Sequence, residues 1–350
     1  MKKIAIATFY NHDNFGAMLQ AYALKKKLNE LGAEVSFVSF GDGKTGNLSL
    51  NSAAPSSPMI KKILAETQKR TENFDSFRKK YFPAVSFCPE IEKEFDVFVA
   101  GSDQIWNSAI TGNNDCYYLP FAPDSKKISY AASFGRDRMN EDEKKYLKEK
   151  LSGFLPCISV REKSGAALVK DITGSDAAVC LDPVLLTSSD DWSEFTAETY
   201  KTPYLLLIMV QNDPVLYKSA KQTAEEKGLA LKVISASYFP MIGFDPWSGV
   251  PVEKWVNLIS GASYVISSSF HGIAFSLIFH RPFTFSPLKN ELADRNSRVT
   301  ELLSSLSLED RASRFDNDID WEKIEALREP EKKKSVGFLK NALKERGVLK

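Results

Sequence analysis

Short runs of β-branched and other apolar residues alternate along this chain with longer stretches in which apolar positions recur every three or four residues. The first pattern fits strands and the second helices, and their repeated alternation predicts parallel sheets covered by helices on both faces. Residues 3–9, 34–40, 95–100, 127–133, 157–160 and 178–181 read as strands, with helices over 19–31, 59–81, 140–154 and 164–171 between them. Gly32 stops the first of these helices. This is one doubly wound unit, assigned to residues 1–190. A polar stretch over 187–202, ahead of Pro203, reads as the join to a second unit over 200–315. There, strands over 204–210, 229–235, 263–266 and 282–286 alternate with helices over 214–227, 252–260 and 270–280. The fold class is therefore α/β, with two Rossmann-like doubly wound domains facing a cleft, the default place for a substrate.

Two segments fall outside these units. Residues 41–57 hold glycine, serine, asparagine and proline with little to bury, which predicts a mobile surface loop, a lid being the alternative. The tail, 316–350, carries Val336, Phe338, Leu339, Ala342 and Leu343 on a helical repeat among many lysines. Such a helix packs across the domains with its lysines in water, or else makes a peripheral contact with a membrane surface.

Charge and composition narrow the function. Across 350 residues, 46 basic side chains nearly cancel 45 acidic ones and leave a net charge of +1, which argues against a nucleic-acid partner. Cys88, Cys116, Cys157 and Cys180 are too widely spaced for a paired metal motif and read as reduced, buried thiols. Residues 1–10 have a short apolar run that 11–14 interrupts before a signal-peptide core forms, so the expected location is cytoplasmic. His12, His271 and His280 are not at metal-ligand spacing, so neither a histidine-built metal site nor a bound cofactor is expected, carboxylate-bound magnesium being the alternative that the plentiful Asp and Glu leave open.

The chemistry-bearing residues gather at strand ends. His271 follows an apolar strand and the Ser267–Ser268–Ser269 turn and opens a helix, which puts an imidazole at the carboxyl edge of a sheet. A packed imidazole bonded to a carbonyl is the other reading of the same residue. Ser102, Asp103, Gln104, Trp106 and Asn107 follow the strand ending at Gly101. They suit a sugar, which takes paired hydrogen bonds and a flat apolar face, or else they cap a turn and fill the core. Arg161, directly after a strand, offers two parallel donors to a carboxylate or phosphate, or else pairs with Glu162 or a neighbouring helix. Arg136 is delivered to the same edge. Around Asn14, Gly16 and Gln20 a strand-to-helix turn brings backbone amides close to any anion. Arg298, after Asn296 and Ser297, sits at a helix entrance against the dipole preference, which calls for a bound anion or an acidic partner.

Taken in order, these segments resemble the polysaccharide pyruvyl transferase family. The likeness rests on Asn14–Phe15–Gly16–Ala17 with Leu19, Gln20, Tyr22, Ala23 and Leu24; on Gly101–Ser102–Asp103–Gln104 with Trp106 and Asn107; on Ala132–Ser133–Phe134–Gly135; on Ser159–Val160–Arg161–Glu162; on Asp182–Pro183–Val184; on Ser269–Phe270–His271–Gly272 with Ala274; and on Asn296–Ser297–Arg298. It implies a glycosyltransferase-B-like domain pair. It also implies transfer of a pyruvyl group from phosphoenolpyruvate, a co-substrate, to two hydroxyls of a saccharide acceptor, lipid-linked in some cases, giving a cyclic ketal. By the same resemblance His271 is the acid. Arg161 and, secondarily, Arg298 hold the donor together with Ser269, Phe270 and Gly272, while Asn14, Gly16, Gln20 and the Ser102–Asn107 cluster face the acceptor. Some members carry an arginine two residues before the histidine, where this chain has Ser269. Arg161, Arg136 or Arg298 then supplies the charge, or this branch uses a different donor. A nucleotide-sugar-dependent glycosyltransferase and a non-catalytic saccharide-binding relative are the competing readings.

Overall fold

The computed structural model describes residues 1–41, 58–112, 114–237, 249–290, 296–312, 316 and 318–349. Beyond Gly41, the loop expected over 41–57 lies outside the described residues. Strands β1 (Lys2–Ala7), β2 (Ala33–Ser39), β3 (Ala84–Ser86), β4 (Val97–Ala100) and β5 (Lys127–Ser129) form a parallel sheet of order 3-2-1-4-5. Strands β6 (Ser159–Val160) and β7 (Ala178–Val179) continue beside it through single bridges at Asp103, Ala132 and Val160. The second sheet has β8 (Tyr204–Met209), β9 (Ala230–Ser235), β10 (Tyr264–Ser267) and β11 (Phe283–Phe285) in the order 11-10-8-9, again parallel. Each sheet reverses its winding once, between β1 and β4 and between β8 and β10, and the carboxyl ends at those points are where open α/β sheets leave a crevice. This pair of doubly wound sheets is the glycosyltransferase-B-like arrangement expected from the sequence.

Helices cover both faces. They are α1 (Phe15–Glu30), α2 (Pro58–Tyr81), α3 (Ser108–Thr111), α4 (Glu141–Ser152), α5 (Lys163–Thr173), α6 (Pro214–Glu226), α7 (Val252–Ser260), α8 (Phe270–Ile278), α9 (Ser297–Ser305) and α10 (Trp321–Glu345). Because strands buried on both sides need no polar face, all six residues of β8 are apolar and buried. One side of the first sheet, with Ala5, Phe98 and Ala100, packs with Leu147, Leu151, Leu168 and Val169 of α4 and α5. Its other side, with Ile4, Ile6 and Val99, shares one continuous core with Leu206, Ile208, Trp255 and Phe275 of the second unit. Phe15 stacks on Trp255 with ring centroids 5.4 Å apart, and Trp192 meets Phe275 edge-on at 4.8 Å. The polar stretch read as a join thus contributes Trp192 and Phe195 to this shared core.

Three of the departures from the sequence reading have a local physical cause. The strand expected over 127–133 stops at Ser129, because Ser129 and Ser159 exchange hydroxyl bonds with each other's backbone at 2.9–3.0 Å and so take the place of ladder pairs. The edge strand β3 lies outside every expected strand, since three residues after Pro83 show no apolar run. Helix α1 begins before residue 19, where the Asn14 side chain caps it by accepting from the Ala17 N–H at 3.1 Å.

The tail helix α10 straps the two units. Its first turn stacks Trp321 on His280 at 4.9 Å, with Glu325 3.0 Å from His280 Nε2. Beyond its last turn, Arg346 donates to the carbonyls of Lys127, Phe154 and Leu155 at 3.0–3.2 Å. Leu339, Ala342 and Leu343 are buried between these anchors. Among the described residues no helix is long and apolar enough to cross a membrane, and the four cysteines are free thiols, of which Cys157 and Cys180 are buried as expected and Cys88 and Cys116 only partly so, with Cys180 pushed by burial to a pKa of about 11.

Because the Leu339 side chain is fully enclosed, Leu339→Ala should lower stability by about 2–5 kcal/mol. Urea denaturation checks it, and a loss below about 0.5 kcal/mol would show that the strap is not part of the cooperative unit.

Candidate active site

The serine triplet that begins on the last residue of β10 is a turn knitted by hydroxyls. Ser267 Oγ accepts from Ser269 N–H at 3.0 Å, Ser268 Oγ accepts from Val210 N–H at 2.9 Å, and Ser269 Oγ caps α8 by accepting from Gly272 N–H at 3.4 Å. Gly272 is required there, since a Cβ would fall 2.2 Å from Ser267 Oγ. This turn places His271 in the first turn of α8, facing α1 of the other unit.

Two contacts from the first unit fix the imidazole, which is only 7% exposed. Gly16 lies against the ring so closely that a Cβ would come within 2.1 Å of Nδ1. On the other side, Nε2 is 3.5 Å from Asp182 Oδ2. Asp182 is itself fully buried. Its Oδ2 takes Arg161 Nη1 at 2.7 Å and Ser102 Oγ at 3.4 Å, while Oδ1 takes the Val184 N–H at 3.0 Å. Burial alone would raise this carboxyl. His271, Arg161 and the Val184 N–H overrule burial and hold it far below the usual carboxylate range.

The line of alternating charge continues toward the cleft. Arg161 Nη2 is 3.5 Å from Asp103 Oδ1, and Arg298 Nη1 approaches the same oxygen at 4.0 Å. Burial works against the Arg161 charge, but Asp182, Asp103 and Glu162 outweigh it and raise its pKa. Asp103 adopts a φ of +74°, a left-handed conformation that a short acidic side chain tolerates by bonding the next N–H, here Gln104 at 2.9 Å. With its amide oxygen turned toward Arg298, Gln104 accepts from that guanidinium at 2.6 and 3.1 Å. Glu162 is buried beside these groups, with burial pushing its carboxyl up and the Ser133 hydroxyl donating to it.

A cavity of about 300 Å³ opens in front of this line. Asn14, Asp103 and Gln104 of the first unit face Ser269, Phe270, His271 and Arg298 of the second across it. A recess of about 230 Å³, with Asn212, Asp213 and Lys289 at its wall, adjoins it and shares Ser268 and Leu288.

The other expected site residues stand elsewhere, for physical reasons. Trp106 is a core residue, stacked on Tyr118 at 5.7 Å with its indole N–H given to the Tyr117 carbonyl, so it offers no flat face to a sugar. Gln20 is buried and bonds Thr8 Oγ1 and the Ala17 carbonyl, and Ser102 is buried behind Asp182. Asn107 caps α3 by accepting from the Ala109 N–H at 3.1 Å, Gly272 serves the turn, and Gly16 packs on the His271 ring rather than on the cavity wall. Arg161 lies behind the cavity wall, its guanidinium 5.2 Å over the Phe270 ring, and pairs with Asp182 rather than Glu162. Arg136 is spent on Glu143 at 2.7 Å, so of the three arginines offered in place of Ser269, Arg298 is the one on the cavity wall. The acidic partner that Arg298 called for is Asp103. Asp182 had no role from sequence because an Asp before Pro reads as a turn cap, which its Oδ1 is, and nothing local reveals what Oδ2 does.

Removing one member of a buried ion pair leaves the other uncompensated, so Asp182→Ala should cost about 3–5 kcal/mol at pH 7. The folded pKa of Asp182 is depressed, so its contribution is complete above the unfolded carboxyl value of about 3.9 and is lost as pH falls through the folded value. Urea titrations should therefore give a gap between wild type and variant that persists from pH 7 to about 4 and narrows in stronger acid; a gap that widens below about pH 4 would contradict the ion pair.

No curated protein matches the sequence. Solved structures with similar chain courses include the Streptomyces sp. SF2575 glycosyltransferase SsfS6 complexed with thymidine diphosphate, at 12% identity and TM-score 0.44 over 100% of this chain and 96% of that one. A putative UDP-N-acetylglucosamine 2-epimerase from Listeria monocytogenes matches at 10% identity and TM-score 0.47, covering 93% of this chain and 94% of its own. The family model described as polysaccharide pyruvyl transferase matches residues 14–287, a span that holds Asn14, Asp103, Asp182 and His271 together. By that match, over well more than half of its length, the chain belongs to the polysaccharide pyruvyl transferase family.

Proposed function

We propose that this protein moves a pyruvyl group from phosphoenolpyruvate to two hydroxyls of a saccharide in surface or exopolysaccharide assembly, working in the cytoplasm on a free or lipid-linked precursor. The observation that carries the reading is the position of His271, which lies inside the span matched by the family and on the wall of a cavity that also presents Arg298. His271 gives a proton to the methylene carbon of the donor, and the adjacent carbon becomes electrophilic. A sugar hydroxyl adds to that carbon, the C–O bond to phosphate breaks, and a second hydroxyl closes the ketal. Of the two protons the hydroxyls release, one replaces that spent by His271 and the other leaves with phosphate.

Arg298 holds the donor's anionic end in this scheme, and Ser269 and Phe270 border it. Arg161 acts from behind by carrying Asp182 and by resting on Phe270. Asn14, Asp103 and Gln104 are the polar groups available to acceptor hydroxyls, and the adjoining recess gives room for a further sugar unit. No group of three or more His, Cys, Asp or Glu side chains among the described residues is arranged to hold a metal ion.

Phosphate release from phosphoenolpyruvate, measured with a panel of mono- and disaccharide acceptors, tests the proposal. His271→Ala should fold and lose roughly a hundred- to ten-thousand-fold in turnover, and undiminished turnover would remove the acid role. Arg298→Ala should raise the donor KM by about ten- to a hundredfold, the worth of its charge-assisted hydrogen bonds. Stabilisation by UDP- or GDP-sugars but not by phosphoenolpyruvate would overturn the donor assignment in favour of glycosyl transfer.

A further inference from the structure

We propose that Asp182 is the positioning residue for His271, holding the Nε2 proton so that Nδ1, which no side chain covers at Gly16, is the atom that delivers a proton to substrate. This rests on the acid role given to His271 above. Three observations carry it. The Nε2 atom is buried, lacks a hydrogen-bond partner and points at the Asp182 carboxylate 3.5 Å away, a distance of the kind that shortens when substrate closes a site. Asp182 cannot turn away, since Arg161 Nη1, Ser102 Oγ and the Val184 N–H hold both of its oxygens. Finally, Nδ1 faces Gly16, the second residue of α1, where any side chain would strike the ring, and Asn14, two residues earlier, lines the cavity together with His271.

The chemistry follows from the tautomer. A ring that keeps its Nε2 proton against a carboxylate can lose only the Nδ1 proton. In the acid step the Nδ1–H bond breaks, its electrons stay on the ring nitrogen, the methylene π electrons form the new C–H bond, and Nε2–H remains directed at Asp182. Because Asp182 belongs to the first unit and His271 to the second, the competent acid exists only when the two units are apposed.

Long-range ¹H–¹⁵N correlation spectra of the ¹⁵N-labelled full chain read this directly, as it has three histidines and His271→Gln identifies the relevant ring. In its neutral form, wild-type His271 should be the Nε2–H tautomer; an Nδ1–H ring, or an even mixture, overturns the proposal. Asp182→Asn should abolish that tautomer preference and lower kcat at least tenfold while leaving the donor KM within about threefold. Lost turnover with the tautomer retained would mean that Asp182 acts through Arg161 alone and would also overturn it. The tautomer is read without substrate, so a protein inert toward phosphoenolpyruvate would refute the donor assignment separately.

Discussion

The carboxylate of Asp182 sits where two folded units meet, and taking such a charge out of water costs several kcal/mol unless its surroundings answer it. Arg161, Ser102 and the Val184 backbone do so from within the first unit, and the imidazole of His271 completes the set from the second. The requirement runs in both directions. His271 owes its orientation to a group it reaches only across the interface, and that interface closes because Gly16 lets α1 approach α8 without a side chain between them.

From this centre the charges alternate outward to the cleft, Asp182 to Arg161, Arg161 to Asp103, Asp103 to Arg298. Such a line fixes dipoles before any substrate arrives, the condition under which electrostatic stabilisation of a reacting anion is most effective. Asp103 is held in the left-handed backbone region at the place where both guanidiniums converge. Backbone strain of this kind persists where the surroundings over-determine it, and here β4, the Ser133 N–H bonded to the Asp103 carbonyl, and the two arginines all act on one residue.

The apolar core that spans the units supports this geometry. Phe15 on Trp255 and Trp192 on Phe275 bring α1 against α7 and α8, and α10 ties the far side through Trp321 at one end and Arg346 at the other. A cleft lined by polar groups is therefore backed by packing that is dense and dry, so the polar groups have little freedom to reorganise.

Periodicity and turn chemistry are local, and they determined what is local here: the strands, most of the helices, the doubly wound class, and the placing of Asn14, Asp103, His271 and Arg298 at strand ends or helix starts. Short pieces stabilised by neighbours escaped that reading, such as β3 at the sheet edge and the break after Ser129 made by hydroxyls of two strands. The roles within the polar clusters were equally out of reach. Trp106 and Gln20 turn inward and Arg161 stands behind the wall, while an unassigned Asp182 holds the imidazole. Which side of a strand end meets solvent, and which buried charge answers which, depends on how residues some eighty to ninety positions apart are brought together, as with Ser102 and His271 on either side of Asp182. Only the packed tertiary structure sets those pairings, because desolvation makes each buried charge take whatever partner the fold puts within reach.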